Sequence, residues 1–186
     1  MIKEHRWAIS AYDRAKYWVK QIGATHVLFL LDSPKITYER VKAPMVATAP
    51  VISKLSVYVD DEERSNDAIT KGRYTIPNED HAMRIGYWVR NELNGDWHLL
   101  VHCMAGVSRS AATLGAILCF KGILEPNEVF QEIQAKRRSD PKDPRPISPN
   151  QTLSELLDEE FKLGGRYAAA AKHFYHNVRH PYLDEE

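Results

Sequence analysis

The chain has 186 residues, of which 44% are hydrophobic and 27% charged, and its formal net charge is +0. These values are typical of a single globular domain and give no reason to expect a second one. A neutral chain has no overall field that attracts nucleic acid or an anionic membrane, so we predict neither as a partner.

The first third of the chain alternates between helical and extended patterns. Residues 1–6 contain no apolar signal core, and no apolar run approaches the roughly 20 residues of a membrane-spanning helix, which predicts a cytoplasmic protein. Apolar side chains at helical spacing predict a helix over residues 11–21. The apolar residues 25–31 predict a strand that ends at Asp32-Ser33-Pro34.

A second predicted strand leads directly into acidic residues. Residues 53–59 alternate, with Leu55, Val57 and Val59 on one side, and the acidic run 60–63 follows them. A carboxylate at the carboxyl end of a strand can reach a site at that edge of a sheet. The acidic residues of this segment are therefore candidates for a general acid, which is a side chain that gives a proton to a leaving group. A charged run is also typical of a solvated loop.

The next strand leads into a loop suited to phosphate. Residues 79–93 are predicted as a helix, residues 97–101 as a buried strand and residues 110–120 as a core helix. The strand, loop and helix start aim backbone N–H groups and the positive end of the helix dipole into one small space. The residues predicted to bind phosphate there are Met104, Ala105, Gly106, Val107, Ser108 and Arg109.

Two side chains of this loop have complementary chemistry. Cys103 opens the loop, where N–H groups and a fixed cation favour the nucleophilic thiolate, and the planar guanidinium of Arg109 can hold two phosphate oxygens. A thiolate here can attack phosphorus and form a cysteinyl-phosphate, which predicts phosphomonoester hydrolysis with no metal and no cofactor. A buried structural cysteine is the plainer interpretation, but it does not explain the accompanying His102, Gly106 and Ser110.

The last third of the chain is predicted to be mostly helical. A helix opens at residues 125–128, the proline-rich residues 140–146 form a surface loop, and a further helix follows. Ser148 is the predicted N-cap of that helix and Pro149 its first residue. An alanine-rich helix is predicted over residues 166–178.

The tail and the second cysteine have no predicted catalytic role. His173, His176 and His180 share one helix face, but no cysteine or nearby carboxylate completes a ligand set, so we predict a solvated face and no metal. Cys119 lies in an apolar helix, where inert packing is the expectation and a regulatory bridge to the loop cysteine the alternative.

The loop resembles the signature of a known family. His102-Cys103, five further residues and Arg109-Ser110 resemble the signature of cysteine-dependent protein tyrosine phosphatases, and the residues from Ala105 onward are similar to its dual-specificity branch. The resemblance implies that Ser110 hydrogen-bonds the thiolate and assists breakdown of the intermediate. It also implies that His102 positions the loop and tunes the thiolate.

The fold class and domain organisation are also predicted. Short strands separated by helices predict an α/β fold with a central, mainly parallel sheet and helices on both faces. The resemblance implies the same three-layer α/β/α architecture. We assign residues 1–163 to a phosphatase domain and residues 164–186 to a C-terminal helical tail. In the resembled family, the asparagine at the position of Asn150 braces the phosphate loop.

The general acid has three candidates. The mechanism needs a carboxylic acid that protonates the leaving oxygen. The resembled family carries this acid one residue beyond the end of a comparable strand, which indicates Asp61. Asp67 lies closer in sequence to the cysteine and fits the family spacing better, and Asp60 is the third candidate. We choose Asp61 as the prediction.

The loop interior also bears on the substrate. Phosphatases of phosphoinositides and inositol phosphates in this superfamily carry lysines where this chain has Met104 and Val107. Because extra phosphates would lack partners, we predict a phosphoprotein carrying phosphotyrosine, or also phosphoserine and phosphothreonine, or a small phosphomonoester. The alternatives are a non-catalytic phosphopeptide-binding relative and a rhodanese-like sulfurtransferase with a persulfide on Cys103. The sequence carries no signal for an oligomeric state.

Overall fold

In the part of the chain that the structure describes, a parallel four-stranded sheet forms the centre. The computed structural model describes residues 6–32, 51–61, 75–138, 140, 142–143 and 145–179. The strands in these ranges are β1 (Arg6–Ser10), β2 (His26–Leu31), β3 (Ser53–Tyr58) and β4 (His98–His102). Their spatial order is β1-β4-β2-β3, and all neighbouring strands run parallel.

Helices cover both faces of this sheet. The α-helices of the described residues are α1 (Ala15–Ile22), α2 (Glu79–Glu92), α3 (Arg109–Phe120), α4 (Val129–Arg138), α5 (Gln151–Phe161) and α6 (Arg166–Phe174). Helix α1 packs on one face and the other helices supply the core on the other. All of β2 is buried as a result, as expected of an inner strand in a parallel sheet. The predicted three-layer α/β/α fold is confirmed.

The start of α5 differs from the prediction. Asn150, and not Ser148, is the N-cap, because its Oδ1 accepts the N–H of Leu153 at 2.9 Å. The N–H of Ser148 instead donates to the carbonyl of Val107 at 2.9 Å. Helices α1 and α4 also begin about one turn later than predicted, after a 3-10 turn and a hydrogen-bonded turn.

Helix α6 packs in the same core as helices α2 to α5. The buried hydroxyl of Tyr167 donates to the carbonyl of Ala112 on α3. Gly115 makes room for it, since a Cβ there would contact the Tyr167 ring and hydroxyl. A π-helical turn, Tyr175–Arg179, follows α6. The boundary at residue 163 stays a prediction, and it does not coincide with a break in packing.

Neither a membrane-spanning helix nor a cluster of metal-binding side chains occurs in the described ranges. No helix there is long and apolar enough to cross a membrane. In the same part of the chain, no three or more histidine, cysteine or carboxylate side chains are grouped so that they could hold a metal. His180, one of the three tail histidines, lies outside the described residues.

All four strands end at one edge of the sheet. The register pairs His102 at the end of β4 with Ser10 on β1 and with Phe29 on β2, and pairs Leu31 with Tyr58. The residues that follow the strands therefore meet at this edge, where parallel α/β sheets bind their ligands.

Candidate active site

The loop between β4 and α3 curls around the sulfur of Cys103. The side chain is fully buried, and its Sγ accepts the N–H of Gly106 at 3.2 Å. The same sulfur lies 3.4 Å from Oγ of Ser110, in the first turn of α3. Both contacts suit a thiolate, which needs donors more than a neutral thiol does.

The carbonyl groups of residues 104–107 are engaged outside the loop. The backbone N–H of Tyr12 donates to the carbonyl of Met104, and the N–H of Ser148 donates to that of Val107. The Arg137 guanidinium group donates to the carbonyls of Ala105 and Gly106. The Arg145 guanidinium group also donates to the carbonyl of Ala105. A planar trans peptide points its C=O and its N–H in opposite directions, and no described peptide bond is cis. The N–H groups that follow these carbonyls therefore face the inner side of the loop, as the Gly106 N–H does.

Gly106 is required by the backbone at the centre of this loop. Its φ is +68°, in the left-handed region that glycine adopts without a steric penalty. A Cβ at this position would also collide with the backbone of Ser10 and Ala11, at the end of β1. The loop can approach the sheet edge this closely only with glycine here.

Arg109 is the first residue of α3 and is only 3% exposed. Its Nη1 lies 2.7 Å from Oδ1 of Asp32 and donates to the carbonyl of Val59 at 2.5 Å. Burial works to lower the pKa of Arg109, but the negative charges of Cys103, Asp61 and Asp32 outweigh it and raise that pKa. The guanidinium is therefore a permanent cation beside the sulfur.

Asp32 is a site residue that the sequence analysis did not select. The sequence predicts it only as the end of a strand, although it follows that strand at the same sheet edge as the acidic run after β3. Its ion pair with Arg109 joins the residues after β2 and β4. A carboxylate directly after a buried strand was the available signal.

The structure distinguishes two of the three candidate acids, Asp61 and Asp60. Oδ1 of Asp61 accepts the Ser108 hydroxyl at 2.6 Å and the Asn150 amide at 3.1 Å, so the structure brings Asp61 to the phosphate loop. Asp60 is 1% exposed, and its carboxylate accepts the N–H of Thr75 at 2.5 Å. Asp67 lies outside the described residues.

Asn150 does not contact the loop in the way the resemblance implied. Its amide nitrogen donates to Asp61, while its amide oxygen caps α5. The backbone of Ser148 holds the loop instead, through the carbonyl of Val107. Asn150 therefore hydrogen-bonds the candidate acid, and the turn before α5 hydrogen-bonds the loop.

His102 is buried beneath the loop between aromatic rings. Its ring lies edge-on to Phe29, with 4.7 Å between ring centroids, and 6.1 Å from the Tyr12 ring. Burial lowers the pKa of His102 to about 4; the Cys103 backbone opposes this and the charge of Arg109 adds to it. The imidazole is therefore neutral at neutral pH, and it supports the end of β4 by packing.

Cys119 is too far from Cys103 to form a bridge. Cys103 lies beside Ser110 at one end of α3, and Cys119 lies nine residues further along the same helix, a rise of roughly 14 Å. Disulfides need Cα atoms within about 7 Å. The alternative of a regulatory bridge is therefore wrong for this fold. Burial raises the pKa of Cys119 to about 12, which keeps it a thiol.

Comparison with known proteins shows which solved structures share the fold of this chain. No family model matches the sequence, and no curated protein matches it either. Among solved structures, the chain is similar to DUSP15, with a TM-score of 0.54 and 18% identity over 100% of this chain and 97% of that one. Human DUSP28 has a TM-score of 0.51 and 19% identity over 84% and 92% of the two chains.

A third similar structure is the human tyrosine phosphatase-like serine/threonine/tyrosine-interacting protein. Its TM-score is 0.53, with 17% identity over 83% of this chain and 90% of that one. The chain thus has the fold of the dual-specificity phosphatases, as the signature implied. That fold is also found in a protein described as phosphatase-like, so activity has to be argued from the site.

Proposed function

We propose that the chain is a member of the dual-specificity branch of the cysteine-dependent protein tyrosine phosphatases and hydrolyses phosphomonoesters on proteins. The observation that carries the proposal is the hydrogen bond from the Gly106 N–H to Sγ of Cys103. The carbonyls of the same loop accept hydrogen bonds on its outer side. Such a loop presents donors to a sulfur anion and to the oxygens of a bound phosphate.

The first step is transfer of the phosphoryl group to sulfur. The inward N–H groups and the guanidinium of Arg109 hold the non-bridging oxygens, and Sγ of Cys103 attacks phosphorus as the ester P–O bond breaks. Asp61 gives a proton to the leaving oxygen. Because the two hydrogen bonds that described side chains donate to Asp61 both engage Oδ1, we assign that proton to Oδ2.

The second step returns the enzyme to its starting state. Water attacks the phosphorus of the cysteinyl-phosphate, Asp61 accepts a proton from that water, and the S–P bond breaks. The Ser110 hydroxyl, 3.4 Å from Sγ, stabilises the thiolate as it leaves. The product is inorganic phosphate, and neither step needs a metal or a cofactor.

The charges beside the loop favour a protein substrate. A cavity of about 320 Å³ is lined by Asp13, Arg14, Lys142, Asp143 and Arg145. Two of its cations are paired with carboxylates, Arg14 with Asp140 and Arg145 with Asp143. Among the described residues, this mixed surface and the loop positions Met104 and Val107 offer no cluster of cations of the kind that a polyphosphorylated ligand needs.

Hydrolysis of para-nitrophenyl phosphate in the presence of EDTA tests the proposal. We expect turnover without metal, inhibition by vanadate, and a phosphorylated protein trapped on Cys103 by rapid acid quench. Cys103→Ser should be inactive and still bind vanadate, whereas Cys119→Ser should keep full activity. Full activity of Cys103→Ser would overturn the proposal.

Two other outcomes favour the alternatives. Binding of phosphopeptides without turnover by the unchanged protein would favour a non-catalytic phosphopeptide-binding relative. Conversion of cyanide to thiocyanate from thiosulfate would favour a rhodanese-like sulfurtransferase. A panel of phosphotyrosine, phosphoserine and phosphothreonine peptides then ranks the substrates.

A further inference from the structure

Two further arginines, Arg137 and Arg145, lie on the outer side of the phosphate loop. Arg137, buried at the end of α4, donates through Nη1 to the Gly106 carbonyl and lies 3.4 Å through Nη2 from the Ala105 carbonyl. Its Nε donates to the backbone carbonyl of Arg145 at 3.0 Å. The side chain of Arg145 donates to the Ala105 carbonyl at 3.1 Å. Two cations thus hold the two central carbonyls of the loop.

Asp143 holds both arginines in place. Its Oδ2 accepts Nη2 of Arg137 at 2.6 Å, and its Oδ1 accepts Nε of Arg145 at 2.7 Å. The hydrogen bond from Arg145 lowers the pKa of Asp143, burial opposes that effect, and the charge of Arg137 adds to it. The carboxylate is therefore ionised throughout the range in which such phosphatases would be assayed, and the three side chains form one charge-assisted network.

The position of Arg137 gives it an electrical effect on the inner side of the loop. A cation on a carbonyl oxygen polarises the whole planar peptide and makes the N–H on its far side a stronger donor. The peptides of Ala105 and Gly106 carry the N–H groups of Gly106 and Val107. The first of these already donates to Sγ of Cys103 at 3.2 Å.

We propose that Arg137, fixed by Asp143, is a positioning residue that both orients the phosphate loop and, through two peptide groups, stabilises the thiolate of Cys103. The inference rests on the proposed function in one respect, that the loop holds a reactive thiolate. It assigns a role to the end of α4, far in sequence from the signature residues.

Other charged groups also face the sulfur, and substitution of Arg137 leaves these groups unchanged. Arg109 lies on the inner side with Asp32 and Asp61 beside it, and the neutral His102 lies beneath. Arg145 is the second outer cation, but its side chain is 53% exposed, so solvent screens it more than the buried Arg137. Arg137 is therefore the residue to change.

The test measures the thiolate directly, by the rate of alkylation with iodoacetamide as a function of pH. It uses the full chain in a Cys119→Ser background, so that only Cys103 reacts. For Arg137→Met we expect the midpoint of the pH curve to move upward by about one pH unit, and for Arg137→Lys by less. Arg138→Met is the matched control, since Arg138 is the exposed neighbour on the same helix, and its midpoint should not move.

A merely structural role would lower the melting temperature without moving this midpoint. Equal midpoints for folded Arg137→Met and Arg138→Met would overturn the inference. If Arg137→Met does not fold, Arg137→Gln replaces it, with an upward shift expected and no shift counting against the inference. Because alkylation needs no hydrolysis, failure to hydrolyse para-nitrophenyl phosphate would overturn the proposed function separately.

Discussion

The side-chain amide of Asn150 donates to Oδ1 of Asp61 at 3.1 Å, and so links the start of α5 to the residue that follows β3. Asn150 cannot turn freely, because its other amide atom caps α5 through the N–H of Leu153. The Ser108 hydroxyl donates to the same carboxylate oxygen. The candidate acid is thus held by a helix cap on one side and by the phosphate loop on the other.

Asp61→Asn should slow turnover most for substrates with poor leaving groups. Without a proton donor, we expect a loss of about 100-fold with phenyl phosphate and a smaller loss with para-nitrophenyl phosphate. The alkaline limb of the pH profile of kcat should flatten. Steady-state kinetics on both esters checks this, and the same pattern for Asp67→Asn with normal kinetics for Asp61→Asn would contradict it.

Asn150→Ser should reduce kcat about tenfold with little loss of stability. Serine is a good N-cap, so it preserves α5, but it lacks the amide that reaches Asp61. The decisive measurement is the double variant with Asp61→Asn, in which the loss from Asn150→Ser should disappear because the two residues act as one unit. Additive losses would mean that Asn150 acts elsewhere.

Asp32→Asn should weaken binding of the phosphate group. The substitution keeps the size of the side chain but removes the charge that lies 2.7 Å from Nη1 of Arg109. A less constrained guanidinium should raise the inhibition constant of vanadate and lower kcat/KM by about tenfold. Asp13→Asn, an exposed carboxylate of the cavity beside the loop, is the control and should leave both values nearly unchanged.

Gly106→Ala should abolish activity while the rest of the fold survives. The added Cβ would meet the backbone of Ser10 and Ala11, so the loop has to move away from the sheet edge. We expect turnover to fall by more than about 100-fold, since a misplaced loop loses both nucleophile and donors. Gly122→Ala, also at positive φ but with no atom near the added Cβ, controls for backbone strain alone.

His102 should make the protein less stable in mild acid. Burial lowers its folded pKa from 6.5 to about 4, so the unfolded chain takes up a proton first as the pH falls. The contribution of neutral His102 to the free energy of unfolding is fully present above about pH 6.5. It is lost progressively as the pH falls to about 4, by up to about 3 kcal/mol. Urea unfolding from pH 7.5 to 4 should show this slope in the unchanged protein and a flatter one in His102→Asn.

Many elements follow from local sequence alone. The signature from His102 to Ser110 indicates the nucleophile and the phosphate loop, because a strand, a glycine-centred loop and a helix start specify a backbone cradle within one short segment. The order of strands and helices likewise indicates the layered α/β fold. Each of these features depends on residues that are neighbours in the chain.

The partners of that loop depend on the tertiary structure. The parallel register brings the ends of β2 and β3 to the end of β4, which is why Asp32 and Asp61 reach the site while Asp60, one residue earlier, turns into the interior. Arg137 lies 31 residues beyond Gly106 in the chain, yet it binds that carbonyl. Contacts of this kind depend on strand register and helix packing, which no local pattern encodes. The sequence by itself therefore determined the candidate nucleophile and the loop that surrounds it, and the tertiary structure decided which residues support them.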